Sequence, residues 1–102
     1  MITHDPIQLT HGDLRSANSD DRARLLEEYL LAVIASLRPP DAASIDASAH
    51  LADLGVDSLQ VVELKFNLDQ LLGEESDVAI IIANPTIREL ALHSVRSARA
   101  LT

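Results

Sequence analysis

Leu51-Ala52-Asp53-Leu54-Gly55-Val56-Asp57-Ser58-Leu59-Gln60-Val61-Val62-Glu63-Leu64 joins a glycine-bearing loop to the start of a long apolar helix. Asp57 is a good helix N-cap and Gln60 follows three positions later, so the pair can form a capping box that satisfies two otherwise unpaired backbone N–H groups. That puts Ser58 at the first helical position with its hydroxyl toward solvent. Gly55 gives the chain access to positive φ in the tight approach to the helix. The helix should run from Ser58 to about Leu72, with Gly73 as its C-terminal cap. Leu59, Val61, Val62, Leu64, Phe66, Leu68, Leu71 and Leu72 cover more than one narrow face, which predicts neighbours on both sides. Gln60, Glu63, Asn67 and Asp69 remain for an exposed face.

Outward from this helix the pattern is helical throughout. A first helix is expected from about Asp20 to Leu37: Asp20 and Asp21 suit its positive end, and Leu26, Tyr29 or Leu30, Val33 and Leu37 recur at helical spacing. Arg38-Pro39-Pro40 should end it. A loop rich in Asp, Ala and Ser follows from Asp41 to about Val56, with Ile45, Leu51 and Leu54 as anchors. Val78 to Ala83 contains Ile80-Ile81-Ile82 and reads by periodicity as a buried strand as much as a helix. After Asn84-Pro85, Thr86-Ile87-Arg88-Glu89 is a capping box that opens a last helix with Ile87, Leu90, Ala91, Val95 and Ala98 inward. Residues 1–19 are polar and lack periodicity, so they read as a flexible tail or linker. Residues 20–99 form the domain and residues 100–102 a short C-terminal tail.

The chain has 102 residues, enough for one domain with a single core. Tyr29 and Phe66 are its only aromatics, which favours a small bundle packed by aliphatic side chains. There is no cysteine, so any thiol chemistry must come from a cofactor. His4, His11, His50 and His93 are scattered and show no metal-ligand spacing. A signal peptide and a membrane-length apolar segment are both absent from the pattern, and the default expectation is a cytoplasmic monomer.

Charge is uneven along the chain. Residues 41–77 hold nine acids against Lys65 alone, a net of −8, whereas residues 1–40 carry −2 and residues 78–102 carry +2. The stretch centred on Ser58 therefore accounts for the formal charge of the whole protein. Such a field disfavours nucleic acid and anionic lipid, and it steers partners with basic docking surfaces toward the serine.

The run around Ser58 resembles the modification site of acyl carrier proteins, where the serine after Asp receives a 4'-phosphopantetheine arm from coenzyme A. The resemblance extends over about Arg22 to Ala98. It implies an all-α, four-helix bundle with a long first loop and a short third helix, which assigns Val78 to Ala83 to that third helix. Asn84-Pro85-Thr86-Ile87-Arg88-Glu89-Leu90 resembles the closing segment of carriers from polyketide and mixed polyketide-peptide synthases. The chain departs from them in having Ile82-Ala83-Asn84 before the Pro-Thr pair and Phe66 at a helical position more often polar.

The resemblance further implies a non-catalytic carrier that holds acyl groups as thioesters on the Ser58 arm. A Mg²⁺-dependent phosphopantetheinyl transferase would install that arm and release adenosine 3',5'-bisphosphate. Acyltransferase, ketosynthase or other synthase enzymes would then act on the cargo. Asp57, Leu59, Val62 and Glu63 are the implied recognition residues, with Asp57 also the cap and Val62 read more readily as core. The competing readings are a carrier for fatty-acid or nonribosomal peptide synthesis and an unmodified acidic adaptor. His50 and Asp53 near Ser58 suggest a hydrolase triad, but the serine lacks a glycine-framed strand-to-helix elbow.

Overall fold

The computed structural model describes residues 9–37 and 45–101. Five α-helices occur in them: α1 (His11–Ser16), α2 (Ser19–Ser36), α3 (Ser58–Leu72), α4 (Val78–Ile82) and α5 (Ile87–Ser97). Short 3-10 turns precede α3 at Leu51–Leu54 and follow α5 at Arg99–Leu101. The expected helix stop at Arg38-Pro39-Pro40 lies outside the described residues, as do the start of the 41–56 loop and residues 1–8.

Each boundary has a local cause. Asn18 caps α2 by accepting from the Asp21 N–H, and Thr86 with Glu89 forms the expected capping box on α5. Gly73 ends α3 in the left-handed region at φ 73°. Asp77 caps α4, so the isoleucine run that periodicity left ambiguous is a short helix. The core is aliphatic: Leu26, Leu30 and Ile34 of α2, Leu64 and Leu68 of α3, and Ile81 of α4 meet Ile87 and Leu90 of α5. Tyr29 and Leu30 are both buried, while Ile34 is buried in place of Val33 and Leu37, which lie at the edge. Burying each such side chain contributes about 1.5–3 kcal/mol. The long first loop reaches this core through Leu51 and Ala47, while Ile45 and Leu54 are partly buried against it.

Both chain ends correct the sequence reading. Residues 1–19 read as a tail, yet Thr10 and Asp13 form a capping box on α1 and Leu14 is fully buried. His11 Nδ1 donates to the Leu71 carbonyl at 2.8 Å, and Arg22 of α2 donates from Nε to the Leu14 carbonyl at 2.7 Å. The sequence shows little of this because a six-residue helix with one core leucine has no periodicity to detect. A Cβ on Gly73 would lie 2.7 Å from the His11 ring, so glycine there serves both the cap and the close approach of α1. At the other end Leu101, expected in a tail, is buried.

Because α1 is part of the core, Leu14→Ala should destabilise the fold by about 2–5 kcal/mol. Urea unfolding of the two proteins side by side checks this; equal midpoints would mean that α1 is not docked in solution.

Candidate functional site

The site is built where the 3-10 turn Leu51–Leu54 feeds α3. Gly55 closes that turn at φ 77°, the left-handed conformation expected of it. Asp57 then caps α3: its carboxylate accepts from the Gln60 N–H at 2.8 Å, and Gln60 Oε1 accepts from the Asp57 N–H at 3.1 Å. Ser58 follows as the first helical residue and is exposed.

The turn is held from the far side by the junction of α4 and α5. Asn84 adopts φ 60°, and its side-chain oxygen accepts from the Ala52 N–H at 2.9 Å. The Leu51 N–H donates to the Pro85 carbonyl, and the Ile87 and Arg88 N–H groups donate to Ala49 and Ala47. His50 Nδ1 donates to the Asn84 carbonyl at 2.8 Å. His50 is therefore oriented by the loop and not paired with Ser58, which removes the triad reading.

All five residues singled out from sequence lie near the start of α3, and all are exposed: Asp57, Ser58, Leu59, Val62 and Glu63. Val62, read more readily as core, is 62% exposed. Leu59 is 68% exposed and Phe66 62%. At i, i+3 and i+7 these three side chains share one face, and it lies opposite the buried face of Leu64, Leu68 and Leu71. The expectation that α3 touches neighbours on both apolar sides is thus corrected, since among the described residues only one of those faces is covered. The polar positions also differ from expectation. Glu63 is exposed, but Gln60, Asn67 and Asp69 are half-buried, Gln60 because it turns back to the cap and Asp69 because it binds the next loop.

Asp69 accepts from Lys65 Nζ at 2.7 Å and from both the N–H and the hydroxyl of Ser76. Burial alone would raise its pKa, but the hydrogen bonds from Lys65 and Ser76 outweigh this and hold the carboxyl below its usual 3.8. Lys65 is raised in turn, chiefly by the same hydrogen bond. The lone lysine of the 41–77 stretch is therefore engaged by Asp69 on the flank of α3. The acids at Asp53, Asp57 and Glu63 are left without a cation among the described ion pairs.

What this arrangement can accommodate is an anionic substituent on an exposed hydroxyl. The leading N–H groups of a helix have no intrahelical partners and its dipole is positive at that end. No described side chain shares a hydrogen bond with the Ser58 hydroxyl or covers it, so a phosphodiester there fits. The described residues hold no cluster that would bind a metal and no helix long and apolar enough to cross a membrane.

Comparison with known proteins gives the class. The phosphopantetheine attachment site family matches residues 28–94, and the chain belongs to it: a carrier domain that is not itself catalytic, of the family that bears covalent 4'-phosphopantetheine. The chain is 31% identical over 87% of its length to the nonribosomal peptide synthetase ucdA of Aspergillus ustus, of which the match covers 9%. It is 35% identical over 78% of its length to the spectinabilin polyketide synthase system protein NorC of Streptomyces orinoci, covering 4% of that protein. A 38% identity over 55% of the chain links it to the highly reducing polyketide synthase VdtX of Byssochlamys spectabilis, covering 3%. The chain thus spans less than a tenth of each of these relatives. No solved structure gives a significant match.

Asp69→Asn should lower stability by about 1 kcal/mol at pH 7. A depressed folded pKa contributes stability above the unfolded value and loses it as pH falls through the folded one. The gap between variant and wild type should accordingly close as pH drops below 3.8, and a gap independent of pH in denaturant titrations would contradict the role assigned to this carboxylate.

Proposed function

We propose that Ser58 is the attachment point of the 4'-phosphopantetheine arm and that the domain carries acyl intermediates of polyketide-type or mixed polyketide-peptide synthesis. The observation that carries this reading is an exposed hydroxyl at the first position of α3, inside the segment matched by the attachment-site family. In the reaction a separate Mg²⁺-dependent transferase directs Ser58 Oγ onto the pantetheine-side phosphate of coenzyme A. The new bond is O–P, the hydroxyl proton is lost, and adenosine 3',5'-bisphosphate leaves. The arm supplies a terminal thiol that holds cargo as a thioester. The chain's own part is to present that hydroxyl on a rigid helix start and to offer partners a recognisable face. The polyketide assignment draws on the Asn84-to-Leu90 segment and on the two polyketide synthase proteins among the relatives.

Recognition falls to Asp57, Leu59, Val62 and Glu63, with Phe66 extending the apolar row. Exposed apolar side chains beside acids suit a partner that presents an apolar pocket within a basic rim. Acyltransferase, ketosynthase and transferase surfaces of that character are the expected partners. Tethering then raises the concentration of cargo at each of them.

Incubation with coenzyme A, Mg²⁺ and a broad-specificity phosphopantetheinyl transferase should add one phosphopantetheine unit to the wild-type intact mass and none to Ser58→Ala. Addition to Ser58→Ala, or none to folded wild type across several transferases, would refute the assignment. Val62→Asp should leave the melting temperature almost unchanged, because the side chain is exposed, while lowering the transferase rate about 10-fold, equivalent to about 1.4 kcal/mol of lost contact. An unchanged rate with the transferases tested would remove Val62 from the recognition face.

A further inference from the structure

The departure Ile82-Ala83-Asn84 ends on a residue whose backbone and side chain join α4 to the turn before α3. Among the described residues Asn84 is the one non-glycine residue with positive φ, at 60°. Strain of this kind persists where the surroundings over-determine it, and here every strong group of the residue but its amide N–H pair is bonded. The Asn84 N–H donates to the Ile81 carbonyl at 3.2 Å. Its own carbonyl accepts from His50 Nδ1 at 2.8 Å, and its side-chain oxygen accepts from the Ala52 N–H at 2.9 Å. Ile81 is buried, so Asn84 is tied to the core on one side and grips the loop on the other.

From Ala52 the path to Ser58 is short. The Ala52 carbonyl accepts from the Gly55 N–H at 3.2 Å, and Gly55, at φ 77°, lies three residues before Ser58. Ala52 is thus held at its N–H by Asn84 and at its carbonyl by the glycine that redirects the chain. The anchors on either side do not need the Asn84 side chain. Leu51 is buried and donates to the Pro85 carbonyl, and α3 is fixed from Leu64 onward by its buried leucines. The first turn of α3 has no buried residue, so it takes its position from the chain that feeds it. Removing the Asn84 amide should therefore loosen residues 52–58 between two fixed points and leave the bundle folded.

We propose that Asn84 is a positioning residue for the modification of Ser58, acting through Ala52 and Gly55 to hold the hydroxyl where a transferase can direct it in line at phosphorus. This rests on the attachment proposed for Ser58. In that transfer Oγ bonds to the pantetheine-side phosphorus of coenzyme A opposite the P–O bond that breaks, the proton passes to a base of the transferase, and adenosine 3',5'-bisphosphate leaves. Misplacing a reacting atom by about 1 Å can cost about 100-fold in rate. Docking is less sensitive, because it is spread over Asp57, Leu59, Val62 and Glu63 and depends on their exposure more than on the aim of a single oxygen. Loss of the Asn84 bond should accordingly act on the rate of transfer once the transferase is bound, and not on how tightly it binds.

Single-turnover loading of the full chain, with coenzyme A and Mg²⁺ saturating and a broad-specificity transferase in excess, yields the limiting rate and the half-saturating transferase concentration separately. Asn84→Gly accepts the left-handed backbone and removes only the side-chain acceptor. It should lower the limiting rate about 10-fold while keeping the half-saturating concentration within about 2-fold of wild type. Amide exchange at Ala52 and Gly55 should quicken about 5-fold, the equivalent of one neutral hydrogen bond. Asn84→Asp keeps an acceptor oxygen and also tolerates the left-handed conformation, so it should restore most of the limiting rate. Failure of folded wild type to load would overturn the Ser58 assignment and this inference with it. With wild type loading, four results would overturn this inference alone: an unchanged limiting rate in Asn84→Gly, an effect confined to the half-saturating concentration, an equal fall in both variants, or loss of the folded bundle in Asn84→Gly.

Discussion

The seam between residues 47–52 and 84–88 is the constraint on which the site depends. Four backbone or side-chain bonds cross it from Ala52, Leu51, Ile87 and Arg88, and His50 adds a fifth onto the Asn84 carbonyl. Among its described residues the loop buries only Leu51 and Ala47, too little apolar surface to fix its path, so hydrogen bonding supplies the rest. Asn84 makes this possible by taking the left-handed conformation, which costs a non-glycine residue about 1–2 kcal/mol and which asparagine tolerates best. Its side chain and its carbonyl then both bind the loop. With the turn Leu51–Leu54 immobilised, Gly55 redirects the chain and Asp57 caps α3, so the position of Ser58 is set by bonds between residues more than thirty apart in sequence.

α3 translates that fixed start into three distinct faces. Leu64, Leu68, Leu71 and Leu72 anchor it to the core. Lys65 and Asp69 tie its flank to Ser76 and thereby to the loop before α4. Leu59, Val62 and Phe66 point away from the bundle. An apolar residue left in water forgoes the burial energy its neighbours gain, so three on one face of a single helix define a surface built for something other than folding. At the far end, His11 bonded to the Leu71 carbonyl holds the last turn of α3 and prevents the helix from fraying where Gly73 ends it.

Much of this was legible in the sequence, and the reasons differ from one residue to another. Asp57 with Gln60, Thr86 with Glu89, and Gly55 and Gly73 are local signals, governed by neighbours within four positions, and each appears as read. The length of α3 follows from them. What failed was non-local. Leu14 and Leu101 carry no periodic context, so only the tertiary packing that buries them shows they are core. The outward placement of Val62 and Phe66 was hidden because α3 is apolar on opposite sides, and composition cannot say which side meets the bundle. Asn84 stands in the sequence only as part of the break before the last helix, and its part in holding the 47–52 loop depends on a partner segment that no short window includes. Asn67 read as a solvated position for the same reason: it is half-buried beside a cleft that α2 and α3 form together.

A domain that carries cargo to several enzymes in turn, as proposed for this one, faces opposing demands on the surface beside that cargo. Long residence at one partner would delay the next, so the contact must be small, yet encounter must be frequent. Acids around Ser58 without internal cations meet the second demand, since long-range attraction raises association rates and is screened within about 8 Å at physiological salt. The short apolar row meets the first, because three side chains bury too little area for a stable interface. Lys65, the one lysine in the 41–77 stretch, is paired with Asp69 on its own flank of α3, where it secures the loop before α4 and makes no ion pair with Asp53, Asp57 or Glu63. On this view the ion pair on the flank of α3 and the unpaired acids at its start divide the work: the first holds the fold and the second are left to meet a partner.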